Sequence, residues 1–112
     1  MSGGSNPSPA AKTISEMDVG QAIKTLRIKN GMTQTQLAER CGMSTNAVSI
    51  IETGKAFPPK ATVEKLCQAF GIPQSYLMLT TIEESDFPEE KRVLYRALLE
   101  PLRNELLEEP EP

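Results

Sequence analysis

The sequence predicts an all-α protein, with five short helices followed by a C-terminal helical extension. Three observations support this fold class. Apolar residues recur at intervals of three and four over most of the chain, glycine ends several of these segments, and the alternating pattern of a β-strand is absent. At 112 residues the chain is long enough for one domain of ordinary size.

Capping signals delimit the first two predicted helices. The first helix is expected to begin near Asp18, a good N-cap residue, and to end at the Asn-Gly turn of residues 30–31. The second helix opens with Thr33 and Gln36, which have the spacing of a capping box, and ends at Gly42. The two helices therefore have defined starts and stops.

Three more helices complete the predicted bundle. A third helix spans residues 44–53 and is capped by its first residue, Ser44. Prolines within residues 57–59 are incompatible with a helix interior, so a connection follows the third helix. A fourth helix then ends at Phe70, and a short fifth helix covers residues 74–79.

The C-terminal extension carries a leucine stripe. Asp86 is predicted to cap its helix, Pro88 to start it, and Pro101 to kink or split it. Three uses of the stripe remain open: packing on its own domain, dimerisation, or binding a protein partner through residues 86–107. The leucines recur every four residues: Leu94, Leu98, Leu102 and Leu106.

Composition excludes several classes of function. The chain has no histidine, which removes the most common catalytic base and the most common metal ligand. Cys41 and Cys67 occupy apolar helical positions, so we expect reduced, buried thiols, with a disulfide or a redox sensor as the alternative. No membrane-length apolar run and no secretory signal are present. We therefore expect a cytoplasmic protein that is not an enzyme and holds no metal or cofactor.

Charge is unevenly distributed along the chain. The whole sequence has a net charge of −3, but residues 19–79 contain seven basic and three acidic residues, a net charge of +4. Residues 80–112 contain four basic and ten acidic residues, a net charge of −6. This division into a basic middle and an acidic end is compatible with a nucleic-acid partner for the middle segment alone. We expect the acidic end to lie away from that partner.

The third predicted helix has two different faces. A helical wheel places Ala47, Val48 and Ile51 on the core side. The opposite side has short uncharged side chains rather than the usual Lys and Glu. Such side chains fit the major groove of DNA, where Asn can pair with adenine and an aliphatic group can touch a thymine methyl. The alternative is a helix of small residues that packs under the C-terminal helix. The residues of this side are Thr45, Asn46, Ser49, Ile50 and Thr53.

From Ile23 to Leu79 the chain resembles the phage Cro/repressor-type helix-turn-helix family, also called Xre-like. The matching elements are "LR" in the first helix, "TQ--LA" in the second and "S---VS-IE-GK" in the third. The resemblance implies a five-helix, repressor-like helix-turn-helix DNA-binding domain plus the C-terminal helical extension. We accordingly divide the chain into a disordered tail (1–13), the DNA-binding domain (14–80) and an acidic helical extension (81–112) that is a candidate dimerisation element.

The resemblance also implies roles for individual residues. Arg27 and Glu52 match a structural ion pair between the first and third helices. The positions matching base-reading residues are Thr45, Asn46, Ser49 and Ile50. Those matching contacts to the DNA backbone are Gln34, Ser44, Thr53 and Lys55.

Two positions depart from the family pattern. Pro59 stands where the fourth helix is commonly capped by Ser, which predicts a weaker or different cap. Ile50 stands where a polar reader is frequent. We expect it to contact a thymine methyl, and contact with another protein surface is the alternative.

The prediction is a dimeric repressor that binds double-stranded DNA. The basic content of one domain is low for DNA binding, and a second copy would compensate for it. The alternative is the antitoxin of a toxin–antitoxin pair that regulates its own operon and binds a toxin through its tail. A protein-interaction module that no longer binds DNA is a third interpretation, disfavoured by Gln34, Asn46 and Lys55.

Overall fold

The computed structural model describes residues 14–110, and their side chains from residue 18 onward. Within these residues the chain is helical with no strand, which confirms the all-α prediction. The predicted tail of residues 1–13 lies outside the described residues. The first five helices are α1 (Ile14–Lys29), α2 (Gln34–Cys41), α3 (Thr45–Glu52), α4 (Lys60–Phe70) and α5 (Gln74–Met78).

The predicted caps of α2 are present in the helix-turn-helix unit that α2 and α3 form. The backbone N–H of Gln36 donates to the Thr33 hydroxyl at 3.0 Å, and the Gln36 side chain accepts from the N–H of Thr33 at 2.9 Å. After α2, Gly42 adopts a φ of 64°, a left-handed conformation that a side chain would disfavour. Pro59, the N-cap residue of α4, provides no side-chain cap, as the departure from the family pattern predicted.

Apolar side chains from α1 to α5 form a single core, to which the C-terminal helix also contributes. Burial of this apolar surface is the main driving force for folding. The largest fully buried aliphatic side chains are Val19, Ile23, Leu37, Val48, Leu66, Leu77 and Leu106.

The start of α1 differs from the prediction. The described residues are already helical at Ile14, so Asp18 lies within α1 rather than at its N-cap. Its carboxylate forms an ion pair with Arg103 of the C-terminal helix, and the two side chains are 18% and 16% exposed. Asp18 resembled an N-cap in sequence because Asp favours that position, and its partner 85 residues later was not visible there.

Gly20 allows α1 to lie against the end of α3. A methyl group on its Cα would overlap the carbonyl oxygen of Ile51, and would come within 3.1 Å of the Glu52 carbonyl oxygen. Real side chains do not tolerate such a backbone contact. Glycine at this position therefore sets how closely α1 supports α3.

The C-terminal segment is less regular than predicted. Short 3₁₀ turns at Leu79–Thr81, Glu84–Asp86 and Glu89–Lys91 precede α6 (Arg92–Leu94), a π-helical turn (Tyr95–Leu99) and α7 (Glu100–Leu107).

Of two predicted features of this segment, the Asp86 cap is wrong, whereas the predicted interruption of the helix at Pro101 is present. Asp86 does not cap the long helix, because its carboxylate accepts from the N–H of Glu83 at 2.9 Å within a 3₁₀ turn. Pro101 lies at the start of α7, directly after the π-helical turn. Proline lacks the N–H that would bond the Ala97 carbonyl, and the wider turn accommodates this loss.

The leucine stripe divides into three exposed leucines at its start and one buried leucine at its end. Leu106 is 2% exposed and joins the domain core against α1. Val93, Leu94, Leu98 and Leu102 are between 44% and 63% exposed. We call these four residues the apolar strip. The C-terminal segment thus packs on its own domain through Leu106, while the four residues of the apolar strip are exposed to solvent.

None of the helices in residues 14–110 is long and apolar enough to cross a membrane.

Candidate nucleic-acid interface

The two faces of α3 are separated as the helical wheel predicted. Val48 and Ile51 are buried in the core. On the opposite face Thr45 and Asn46 are exposed, while Ser49 and Ile50 are partly exposed. All four predicted base-reading side chains therefore lie on an accessible and uncharged surface.

Local hydrogen bonds fix both ends of α3. At its start the Ser44 hydroxyl accepts from the N–H of Ala47 at 3.0 Å. At its end the Thr53 hydroxyl donates to the Ile50 carbonyl at 3.0 Å. The Thr45 hydroxyl also donates to the Thr35 hydroxyl of α2 at 3.3 Å. This last contact, which the sequence did not predict, joins the reading face of α3 to the start of α2.

Arg27 and Glu52 form a bidentate ion pair between α1 and α3. Arg27 Nε lies 2.7 Å from Glu52 Oε2, and Nη2 lies 3.1 Å from Oε1. The Glu52 side chain is only 2% exposed, so the pair compensates a buried charge. Arg27 also donates to the Met32 carbonyl at 2.9 Å, which ties the turn before α2 to the same guanidinium.

Gln34 extends this ion pair to α2. Its amide nitrogen donates to Glu52 Oε1 at 3.0 Å. One carboxylate therefore connects the first three helices and fixes the orientation of α3. The predicted contact of Gln34 with a DNA phosphate remains a prediction, and it would be made by a side chain that Glu52 already positions.

A surface cleft of about 410 Å³ lies beside this network. It is lined by Gln21, Lys24, Gln34, Glu52 and Thr53. Gln34 and Thr53 are predicted DNA-backbone contacts, whereas Gln21 and Lys24 were missed. Their spacing of three residues places them on one face of α1, but that spacing alone did not distinguish them from an ordinary solvated face.

A carboxylate from the C-terminal end lies against this cleft. Glu109 Oε2 accepts from the Gln21 amide at 2.9 Å and lies 3.3 Å from Lys24 Nζ. Hydrogen bonds from Gln21, and then from Lys24, lower the pKa of the Glu109 carboxyl below its ordinary value. Among the described residues, no group of three or more Cys, Asp or Glu could hold a metal ion.

The sequence model of the helix-turn-helix domain family matches residues 18–76, which contain α2, α3 and the whole ion-pair network. The chain belongs to the helix-turn-helix domain family. The match ends before the apolar strip and before α7.

Curated relatives agree with this family. The chain is 39% identical over 74 residues to the uncharacterized HTH-type transcriptional regulator RghRB of Bacillus subtilis, covering 65% of this chain and 53% of that protein. It is 33% identical over 96 residues to the immunity repressor protein of Bacillus phage phi105, covering 80% of this chain and 65% of the repressor. The chain thus spans between half and two thirds of the length of these two relatives.

Solved structures share the fold. The clp gene regulator ClgR from Corynebacterium glutamicum superposes with a TM-score of 0.58 at 19% identity, over 83% of this chain and 92% of that chain. The hypothetical transcription factor NHTF from Neisseria gives a TM-score of 0.54 at 20% identity, over 79% of this chain and 93% of that chain. At these identities the likeness concerns the fold alone.

Proposed function

We propose that this protein is a sequence-specific DNA-binding transcriptional regulator that acts as a dimeric repressor. The observation that carries the proposal is the accessible, uncharged face of α3, held in place by the Arg27–Glu52–Gln34 network. Small polar side chains on a rigidly held helix match the requirements of major-groove reading.

Residues of the interface divide into two roles. Thr45, Asn46, Ser49 and Ile50 read base edges, with Asn46 suited to adenine and Ile50 to a thymine methyl. Contacts to the DNA backbone fix the register and supply affinity without sequence information. The backbone-contacting residues are Gln34, Ser44, Thr53 and Lys55.

The apolar strip is the proposed dimer contact. Its four side chains are each at least 44% exposed, and water-exposed apolar surface of this kind favours association. A second copy also doubles the modest net charge of +4 carried by residues 19–79. Two α3 helices related by a two-fold axis would then read half-sites about one DNA turn, roughly 34 Å, apart.

The mechanism is occupancy. A dimer bound to a near-palindromic operator excludes the polymerase from an overlapping promoter. This requires affinity and a correct half-site spacing, and no catalytic step.

In vitro selection from a random duplex pool tests the proposal. We expect enrichment of a two-fold-symmetric sequence whose half-sites lie about 10 base pairs apart, centre to centre. Recovery of no sequence preference at low salt would contradict DNA reading, and a single unpaired half-site would contradict the dimer. A second small protein that co-purifies with the chain in stoichiometric amount, and is lost when the apolar strip is altered, would instead favour the antitoxin interpretation.

A further inference from the structure

Glu109 is held at the cleft by more than its own ion pair. Leu106, three residues earlier, is buried in the core. The Gln21 amide also donates to the Leu107 carbonyl at 3.2 Å, and the Glu108 N–H donates to the Asn104 carbonyl at 2.9 Å. These contacts fix the end of α7 against α1. Glu109 is the next residue after this fixed segment, so its carboxylate is held close to α1.

Lys24 and Gln21 supply donors to an anion at this place. The Lys24 side chain is 40% exposed, so its ammonium can exchange partners with solvent ions. The acidic residue that lines the cleft, Glu52, already forms an ion pair with Arg27 and accepts a hydrogen bond from Gln34. The open side of the cleft consequently favours a negatively charged ligand.

The position of the cleft suggests which anion that ligand is. Gln34 and Thr53 line the same cleft and are proposed DNA-backbone contacts. A phosphate held by these two residues would lie beside Gln21 and Lys24, where the Glu109 carboxylate is found. The sequence led us to expect the acidic end away from the DNA, but this carboxylate lies at the edge of the proposed backbone contact.

We propose that Gln21 and Lys24 complete a binding site for a DNA backbone phosphate, and that Glu109 occupies this site in the free protein. The C-terminal end then competes with the DNA for Lys24. This inference rests on the proposed function. The inference adds two features to the proposed function. One is a phosphate contact from α1, and the other is an internal competitor that lowers the affinity for DNA of every sequence to the same extent.

The solvent exposure of the Lys24–Glu109 ion pair sets the expected change in affinity for DNA. A partly exposed ion pair of this kind shifts an equilibrium by about two- to fivefold. Loss of the competitor should therefore raise affinity by a factor in this range. The gain should be independent of sequence, because phosphate contacts carry no base information.

The test compares two neutralising substitutions in the full-length chain. Glu109→Gln removes the competing carboxylate, and Glu108→Gln makes the same charge change at the adjacent exposed position. Affinity for a short random-sequence duplex is measured across a salt series, and thermal unfolding verifies that each variant is folded. We expect Glu109→Gln to bind about two- to fivefold more tightly than Glu108→Gln.

A second pair of variants assigns the gain to Lys24. Lys24→Ala should weaken binding and reduce the salt slope by about 0.9, the value for one phosphate contact. In the Lys24→Ala background, Glu109→Gln should have no advantage over Glu108→Gln. Equal affinities of the two Gln variants in the wild-type background, or an advantage that persists without Lys24, would overturn the inference while leaving the proposed function intact. If the wild-type chain binds no duplex at low salt, the proposed function fails and this inference fails with it.

Discussion

Asp18 and Arg103 form an ion pair that joins α1 to α7, and both side chains are largely buried. The Arg103 Nε also donates to the Thr80 carbonyl at 3.4 Å, so the same guanidinium reaches the turn after α5. Burial lowers the pKa of Arg103 from its ordinary value, which reflects the cost of removing the charge from water. The pair links the C-terminal helix to the helix that supports α3.

Asp18→Asn should destabilise the protein by about 1–3 kcal/mol, because it leaves the Arg103 charge buried without a counter-charge. The measurement is the free energy of unfolding in urea. Glu105→Gln is the control, since it removes the exposed pair of Glu105 with Lys29 and should cost close to nothing. Equal costs for the two variants would contradict the role assigned to Asp18.

Gly20→Ala should reduce stability, although alanine within a helix is ordinarily better than glycine by about 0.5–1 kcal/mol. The added methyl group would overlap the Ile51 carbonyl oxygen, which belongs to the backbone and cannot rotate away. The melting temperature from thermal unfolding shows whether Gly20→Ala lowers or raises stability. A raised melting temperature would show that α1 and α3 can separate at no cost.

Asn46→Ala should weaken binding to the selected operator by about 1–3 kcal/mol and leave binding to random DNA nearly unchanged. Lys55→Ala should weaken both about equally and lower the salt slope, because its proposed contact is a phosphate. Fluorescence anisotropy with the two duplexes separates these patterns. Identical behaviour of the two variants would falsify the division into reading and backbone residues.

Leu98→Glu should convert the proposed dimer to a monomer, because it places a charge in the middle of the apolar strip. Light scattering gives the molar mass. A point substitution is preferable to deleting residues 86–112, since the deletion would also remove Leu106 from the core. Phe57→Glu, at an exposed apolar residue outside the strip, should leave the mass unchanged. A dimer that persists in Leu98→Glu would exclude the strip as the contact.

Cys41 and Cys67 should react slowly with a thiol reagent in the folded protein at neutral pH. Burial raises the pKa of both thiols, although Lys65 acts in the opposite direction at Cys41, so less reactive thiolate is present than in a free cysteine. Because the folded-state pKa values are raised, the stability linked to them is complete below the ordinary thiol pKa and is lost as the pH rises through the raised values. Labelling in urea should be fast, and equally fast labelling without urea would argue against burial.

Much of the fold was accessible from sequence because its signals are local. The capping box of Thr33 and Gln36 and the glycine after α2 require only neighbouring residues. The wheel of α3 separated Val48 and Ile51 from Asn46 for the same reason, since periodicity along one helix decides which residues share a face. The family resemblance implied the pairing of Arg27 with Glu52, and the structure shows that the pair is bidentate.

The remaining features depend on residues far apart in the chain. Asp18 resembled a helix cap until Arg103 was seen beside it, and Gly20 carried no signal before the Ile51 carbonyl was placed against it. The leucines of the stripe are likewise evenly spaced in the sequence, but some are buried and others exposed in the fold. Leu106 is buried in the core, whereas Leu98 is exposed to solvent.

The sequence by itself determined the helices, their caps and the uncharged face of α3, because hydrogen bonding and periodicity within a helix involve residues a few positions apart. Only the tertiary structure decided what those helices bring together. It placed Glu109 against Lys24, at the cleft that Gln34 and Thr53 also line. That neighbourhood depends on the packing of α7 on α1, which the spacing of residues along the chain does not encode.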